Sequence, residues 1–266
     1  MTQPEDDVSM TFWEHLDELR SRLLRMVIAF AIGGGVAWYF RESLMLWLTT
    51  PLIRAWSEGG VDKPKLILGG PASAFLSYLK LSLIGGAAIA SPIMFYQLWA
   101  FIAPGLYSRE KRFALPFVVS STGLFALGGY FGWKVAFPLA FGYLLQFAGT
   151  IGTSEFGINI ENTIPISDYI GFVARMLLAF GATFELPVVV FFLSVSKVID
   201  HTHLIKFARY FAVIAFLLAA ILTPPDILSQ FLLAVPLCLL YAMSIGIAYI
   251  FGRKKTDEET TQSLQR

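Results

Sequence analysis

The 266-residue chain is 56% hydrophobic and 15% charged, with a mean hydropathy of +0.65 and a formal net charge of +1. That composition excludes an average soluble domain and points to a polytopic membrane protein. The near-neutral charge offers no basic surface for nucleic acid, and a single cysteine, Cys238, excludes an internal disulfide and a thiolate zinc cluster.

The opening MTQPEDD is acidic where a secretory signal needs a basic n-region, so no cleavable signal peptide is expected there. Residues 9–22 then read as a short amphipathic helix with an acidic side, feeding directly into a membrane span. Thr11 and Glu14 fit a capping box, and Phe12, Leu16, Leu19 and Leu23 form one helical stripe. Glu14, Asp17 and Glu18 share another face, and the plainer reading of Glu18 is a pair with Arg22 one turn on.

Six apolar segments follow, near 23–40, 72–102, 114–137, 166–194, 207–222 and 227–251. A membrane span needs about 20 residues. The second carries Pro92, which predicts tilt or a kink. The fifth is short and ends at the turn 223–226, and Pro236 interrupts the sixth. Between the first two, LMLWLTTPLIRAW suits a helix lying along an interface, and 138–165 mixes aromatics, Gly and Asn as a structured cap. The fold expected is an all-α integral membrane protein with six transmembrane helices, short fifth and sixth helices and structured outer loops. One membrane domain covers 1–266, with a cytoplasmic helix at 9–22, a membrane region at 23–251 and a disordered tail at 252–266.

Lys and Arg placement sets the orientation. One set of termini and loops carries 13 of them, among them Arg20, Arg22, Arg109, Lys111, Arg112 and Arg253, against 4 on the other side. Cytoplasmic loops are enriched in Lys and Arg, so both termini are expected in the cytoplasm. The basic loop within 97–113, QLWAFIAPGLYSREKRF, contains one acid, Glu110. It reads either as a positive-inside anchor or as a cytoplasmic reading head.

Charges inside spans are expensive. Lys80, Lys134 and Arg175 lie near segment ends and can snorkel. Glu185, in GATFELPVVVF, has no basic neighbour three or four residues away and reads as functional. Gln230 suits an interhelical hydrogen bond. All three histidines lie outside the spans, and no HExxH, GxSxG or glycine-rich phosphate loop occurs. No enzymatic chemistry, metal or cofactor is expected.

Four separated motifs, FWEHLDELRSRLL at 12–24, SPIMFYQLWAFIAPGLYSREKR at 91–112, FGATFELPVVVFFL at 180–193 and ILTPPDILSQFLLAVPLCLLY at 221–241, resemble the TatC family of twin-arginine protein translocases. The resemblance covers essentially the whole chain. It implies a signal-peptide receptor and core subunit of a translocase, moving folded proteins across the membrane with the proton gradient. It implies as partners single-span TatA-like and TatB-like subunits and twin-arginine signal peptides, within a multimeric complex in the inner membrane of a prokaryote. It assigns Glu18 and Glu110 to the twin arginines, with Arg20 and Phe101 beside them. It marks Glu185 as the intramembrane functional acid and Thr223, Asp226 and Gln230 as partner contacts. Ala242 departs from the family, where a glutamate is frequent, and Asp17 is an additional acid. The competing reading is a proton-coupled transporter of small solutes with Glu185 as the proton carrier, against which stands the lack of a visible internal repeat.

Overall fold

The computed structural model describes residues 12–58, 66–102, 114–147, 149–152, 157–160, 163–195, 198–223 and 226–251. Helix α1 spans Phe12–Tyr39 and α2 spans Arg41–Glu58. Strand β1 (Leu66–Ile67) precedes α3 (Ser73–Ile102). Helix α4 (Ala114–Phe131) continues through a π-helical turn, Gly132–Ala136, into α5 (Phe137–Leu145). Strands β2 (Gly149–Gly152), β3 (Gly157–Ile160) and β4 (Ile164–Pro165) lead to α6 (Ile166–Phe184) and α7 (Leu186–Val195). Helices α8 (His201–Leu222) and α9 (Ile227–Phe251) complete the described chain.

Six stretches are long and apolar enough to cross a membrane: 13–39, 73–101, 115–145, 166–195, 201–222 and 227–250. The last two are the shortest. The amphipathic stretch feeds directly into the first span, as expected from the sequence, and α1 runs from Phe12 to Tyr39 without a break. The sequence-based boundaries shift at two places. The third span reaches Leu145, because the π-helical turn absorbs an extra residue without ending the helix. The fifth helix begins at His201, where the Asp200 carboxylate accepts from the His201 amide at 2.8 Å. Pro92 lies inside α3, which continues through it as one element. Pro51 and Pro236 are likewise accommodated within α2 and α9.

The outer connections are built structures. α2 lies across the bundle on α5, burying Leu48, Leu52 and Trp56. The buried Tyr169 hydroxyl of α6 donates to the Leu48 carbonyl at 2.7 Å, and the Trp133 indole donates to the Trp47 carbonyl at 3.0 Å while its ring stacks on Trp47. β1 pairs in parallel with β4, which fastens the connection before α3 to the one before α6. β2 and β3 form an antiparallel hairpin. The main core fills the same half, with Phe137, Ile170, Val173, Met176, Phe180 and Leu233 fully buried.

The other half is organised by α1 against α3, the most extensive helix pair in the fold. Their backbones meet at glycines. A Cβ on Gly33 would stand 2.7 Å from the Gly86 carbonyl oxygen, and one on Gly86 would stand 2.6 Å from the Gly34 nitrogen. Small residues at such crossings let membrane helices approach closely. This crossing carries the start of α1 alongside the end of α3, where the candidate site lies.

Candidate functional site

Along the first turns of α1 two charged residues turn inward while the apolar stripe turns out. Leu16, Leu19 and Leu23, the apolar stripe, are exposed, whereas the Glu18 and Arg22 side chains are each only 17% exposed. In a soluble protein the stripe would seek the core; at a membrane the surroundings are themselves apolar, so polar groups gain by facing other helices. Glu14, Asp17 and Arg20 are exposed. The three acids that share a face by spacing thus divide, with Glu18 turned in and the other two turned out.

Glu18 is the centre of a small polar cluster. The Arg22 guanidinium grips its Oε1 through both Nε, at 2.9 Å, and Nη2. Arg22 Nη1 also reaches the Oε1 of Gln97, on α3, at 3.4 Å. Gln97 is buried, at 6% exposure. The second oxygen of Glu18, Oε2, is buried and accepts no hydrogen bond among the described residues. Its neighbour is His15, whose Nδ1 stands 3.8 Å away. The His15 ring stacks on Phe101 with centroids 4.4 Å apart and planes 19° from parallel. Two expected residues, Glu18 and Phe101, are therefore brought together through His15. Arg20 points away from the cluster, on the exposed side of α1. Glu110 lies outside the described residues, as does the rest of 103–113, so the basic-loop reading is not placed.

The expected pair between Glu18 and Arg22 is present, and it uses only half of the carboxylate. Gln97 and His15 were not singled out as site residues from the sequence. Gln97 could have been: an amide close to the end of an apolar segment needs a partner, and it faces an arginine here. The stacking of His15 on Phe101 had no signal in local spacing, since it joins two helices.

Glu185 sits at a helix break. It is the last-turn cap of α6, its amide donating to the Ala182 carbonyl at 3.2 Å, and its own carbonyl accepts from the amides of Val188 and Val189 at 3.0 Å. Pro187 cannot donate, which explains why the chain restarts as α7 here. The carboxylate is partly buried against Ser121 of α4. Glu185 Oε1 and the buried Ser121 Oγ each lack a hydrogen bond within normal geometry among the described residues, and so does Thr122 Oγ1, on the next residue of α4.

The three residues expected at partner contacts all have intramolecular work. Thr223 is buried and its hydroxyl donates to the Ala219 carbonyl at 2.9 Å, closing α8. Asp226 caps α9, its Oδ1 accepting from the Ser229 amide at 2.7 Å, while its Oδ2 is buried without a hydrogen bond among the described residues. Gln230 Nε2 donates to the Phe216 carbonyl at 3.0 Å, the interhelical bond expected from its position. No group of three or more His, Cys, Asp or Glu side chains suited to a metal ion occurs among the described residues. His201 instead takes Asp200 as a partner, Nδ1 to Oδ1 at 2.7 Å. Cys238 is a free thiol, partly buried on α9.

Known proteins give the cluster a context. The sequence profile of the family described as "Sec-independent protein translocase protein (TatC)" matches residues 14–236. A protein of that description from Desulforapulum autotrophicum is 42% identical over 248 residues, which is 93% of this chain and 87% of the relative. The corresponding protein from Aquifex aeolicus is 39% identical, over 93% of this chain and 98% of the relative. A crystal structure titled as the twin arginine translocase receptor TatC superposes with a TM-score of 0.77 at 39% identity, covering 90% of this chain and 100% of that one. The matched residues 14–236 contain the second and third motifs whole and most of the first and fourth, and the chain belongs to the TatC family of Sec-independent protein translocase proteins.

Proposed function

We propose that this multi-pass membrane protein is the signal-peptide receptor and core subunit of a twin-arginine translocase. The observation that carries the reading is the Glu18 carboxylate, held between α1 and α3 with one oxygen already bound by a guanidinium and the other without a hydrogen bond among the described residues. Carboxylates and guanidinium groups form directional, charge-assisted pairs, and a site that already accommodates one arginine is chemically suited to another. The relative titled as a twin arginine translocase receptor supports the same reading. Family membership also sets the small-solute transporter aside and assigns a transport component rather than an enzyme.

In this reading Glu18 takes one arginine of the signal and Glu110 the other. Phe101 supplies an apolar edge beside them, and Arg20 acts on the exposed side of α1. The 13-to-4 distribution of Lys and Arg supports a cytoplasmic location for this end of the bundle and for both termini, and the reading sets the protein in a prokaryotic inner membrane. Single-span TatA-like and TatB-like subunits are the partners. The exposed stripe Phe207, Tyr210, Ile214, Leu217 and Ile221 on α8 offers them an apolar helix face, next to the turn that Thr223, Asp226 and Gln230 hold in place. Glu185 serves the transport step, coupled to the proton gradient, rather than signal recognition.

The reading is tested by binding and export in parallel. Glu110→Ala is expected to abolish binding of a twin-arginine signal while leaving insertion and abundance intact; normal export by this variant contradicts the role. Glu185→Gln is expected to impair export more than signal binding. Equal loss of both would mark Glu185 as a structural residue at the break between α6 and α7.

A further inference from the structure

Arg22 is the observation to pursue. It holds Glu18 by two donors on one oxygen, and its third contact goes to a buried amide on a different helix. A surface ion pair needs no such arrangement. The Gln97 side chain, on α3, is buried, and its Oε1 accepts from Nη1, the guanidinium nitrogen that Glu18 does not use. Arg22 thus has two acceptors at once, Glu18 along α1 and Gln97 across the helix pair. The Gln97 contact is the longer, at 3.4 Å, so Arg22 sits closer to Glu18. Glu18 Oε2, meanwhile, accepts no hydrogen bond among the described residues and has the His15 ring beside it.

We infer that Arg22 is a resident arginine that occupies Glu18 in the empty receptor and withdraws towards Gln97 when an arginine of the signal arrives. The inference rests on the receptor reading above and assigns specificity-determining roles to Arg22 and Gln97. An incoming guanidinium takes Glu18 with both carboxylate oxygens, a geometry that uses the fork of donors on arginine. Arg22 then keeps a hydrogen bond by moving onto the Gln97 amide oxygen, so its charge is not stranded in a partly buried place. A lysine supplies a single strongly hydrated ammonium and cannot replace the two-donor grip that Arg22 gives up. The resident arginine therefore sets a threshold that favours arginine over lysine, by competition as well as by attraction.

The consequence has an unusual sign. Removing Arg22 vacates Glu18 and is expected to tighten binding. The test uses the full-length protein in nanodiscs and fluorescence anisotropy with a labelled twin-arginine signal peptide and its twin-lysine counterpart. Arg22→Gln is expected to bind the twin-arginine peptide about three- to fivefold more tightly, the range a partly exposed ion pair supports. The lysine peptide is expected to gain more, so discrimination falls. Gln97→Leu, which removes the alternative acceptor, is expected to weaken binding in the wild-type background and to have no effect in the Arg22→Gln background.

Unchanged or weaker binding in a normally inserted Arg22→Gln protein overturns the inference, because Arg22 is then a bystander or merely holds Glu18 in position. A Gln97→Leu defect that persists without Arg22 overturns the role of Gln97; should Arg22→Gln fail to insert, unchanged binding by a normally inserted Gln97→Leu protein overturns the inference. Equal affinity of the wild-type protein for both peptides is a separate outcome: it contradicts the receptor reading itself.

Discussion

The two oxygens of Glu18 meet different surroundings, and that asymmetry is what makes the residue a candidate binding group. Oε1 is saturated by Arg22, and Oε2 is buried beside His15 with no donor among the described residues. A buried acceptor without a partner is costly, so the empty site is poised to accept a donor. Glu18→Gln keeps the shape and removes the charge. Affinity for a twin-arginine peptide is expected to fall at least about tenfold, consistent with roughly 1.5–3 kcal/mol for a charged hydrogen bond, as checked by peptide titration. Asp200 carries a different kind of prediction. The Thr202 hydroxyl, followed by the His201 amide and ring, holds its carboxyl below the ordinary aspartate value, although burial opposes this. A depressed value means that the cap contributes above the ordinary aspartate range and is lost as pH falls through the lowered one. Amide exchange at the first turn of α8 is expected to accelerate on strong acidification and in Asp200→Ala at neutral pH, while α9 is unchanged.

Elements deliver these residues to one another. The stacking of His15 on Phe101 and the reach of Arg22 to Gln97 both depend on α1 lying close along α3, and that closeness depends on Gly33 and Gly86. A Cβ at either position would meet backbone, which cannot yield as a side-chain tip does. Gly86→Val is therefore expected to push the helices apart, at a cost of about 1–3 kcal/mol by overpacking, and to lower peptide affinity without touching a binding group. Thermal unfolding in detergent and peptide titration on the same sample check both effects. At the opposite end, Tyr169→Phe removes the hydroxyl that holds α6 to α2 and leaves the Leu48 carbonyl without that donor. It is expected to cost about 1 kcal/mol of stability with signal affinity unchanged, since the bond lies on the far side of the bundle. Much of this architecture is legible in the sequence, because hydropathy over some 20 residues records a span whatever its neighbours are. The π-helical turn after Phe131 and the early start of α8 are not. Each places polar or mixed residues in a helix whose continuity is set by packing and capping, which a hydropathy window does not record.

The whole molecule has one end stiffened by a laid-down helix, paired strands and the main core, and another end where recognition is proposed. The separation is physically sensible: a rigid frame fixes the distance between α1 and α3, and the polar groups between them remain available for exchange. The candidate site was readable in the sequence as separate motifs, Glu18 in one and Phe101 in the next, but their meeting through His15 is a property of the fold. Gln97 and Ser121 escaped notice for the same reason, being ordinary polar residues until a neighbouring helix supplies Arg22 or Glu185. The 13-to-4 charge distribution predicts that a cysteine introduced near Asp17 is labelled by an impermeant thiol reagent only from the cytoplasmic side. The most direct test of the account is site-specific photocrosslinking in native membranes. The probe replaces Leu98, one turn before Phe101 on α3, and the ligand is a radiolabelled twin-arginine precursor. The account predicts a crosslink that disappears when both arginines of the precursor are changed to lysine and when Glu18 is changed to Gln. A properly inserted protein that gives no crosslink, or one indifferent to the arginine pair, would contradict it.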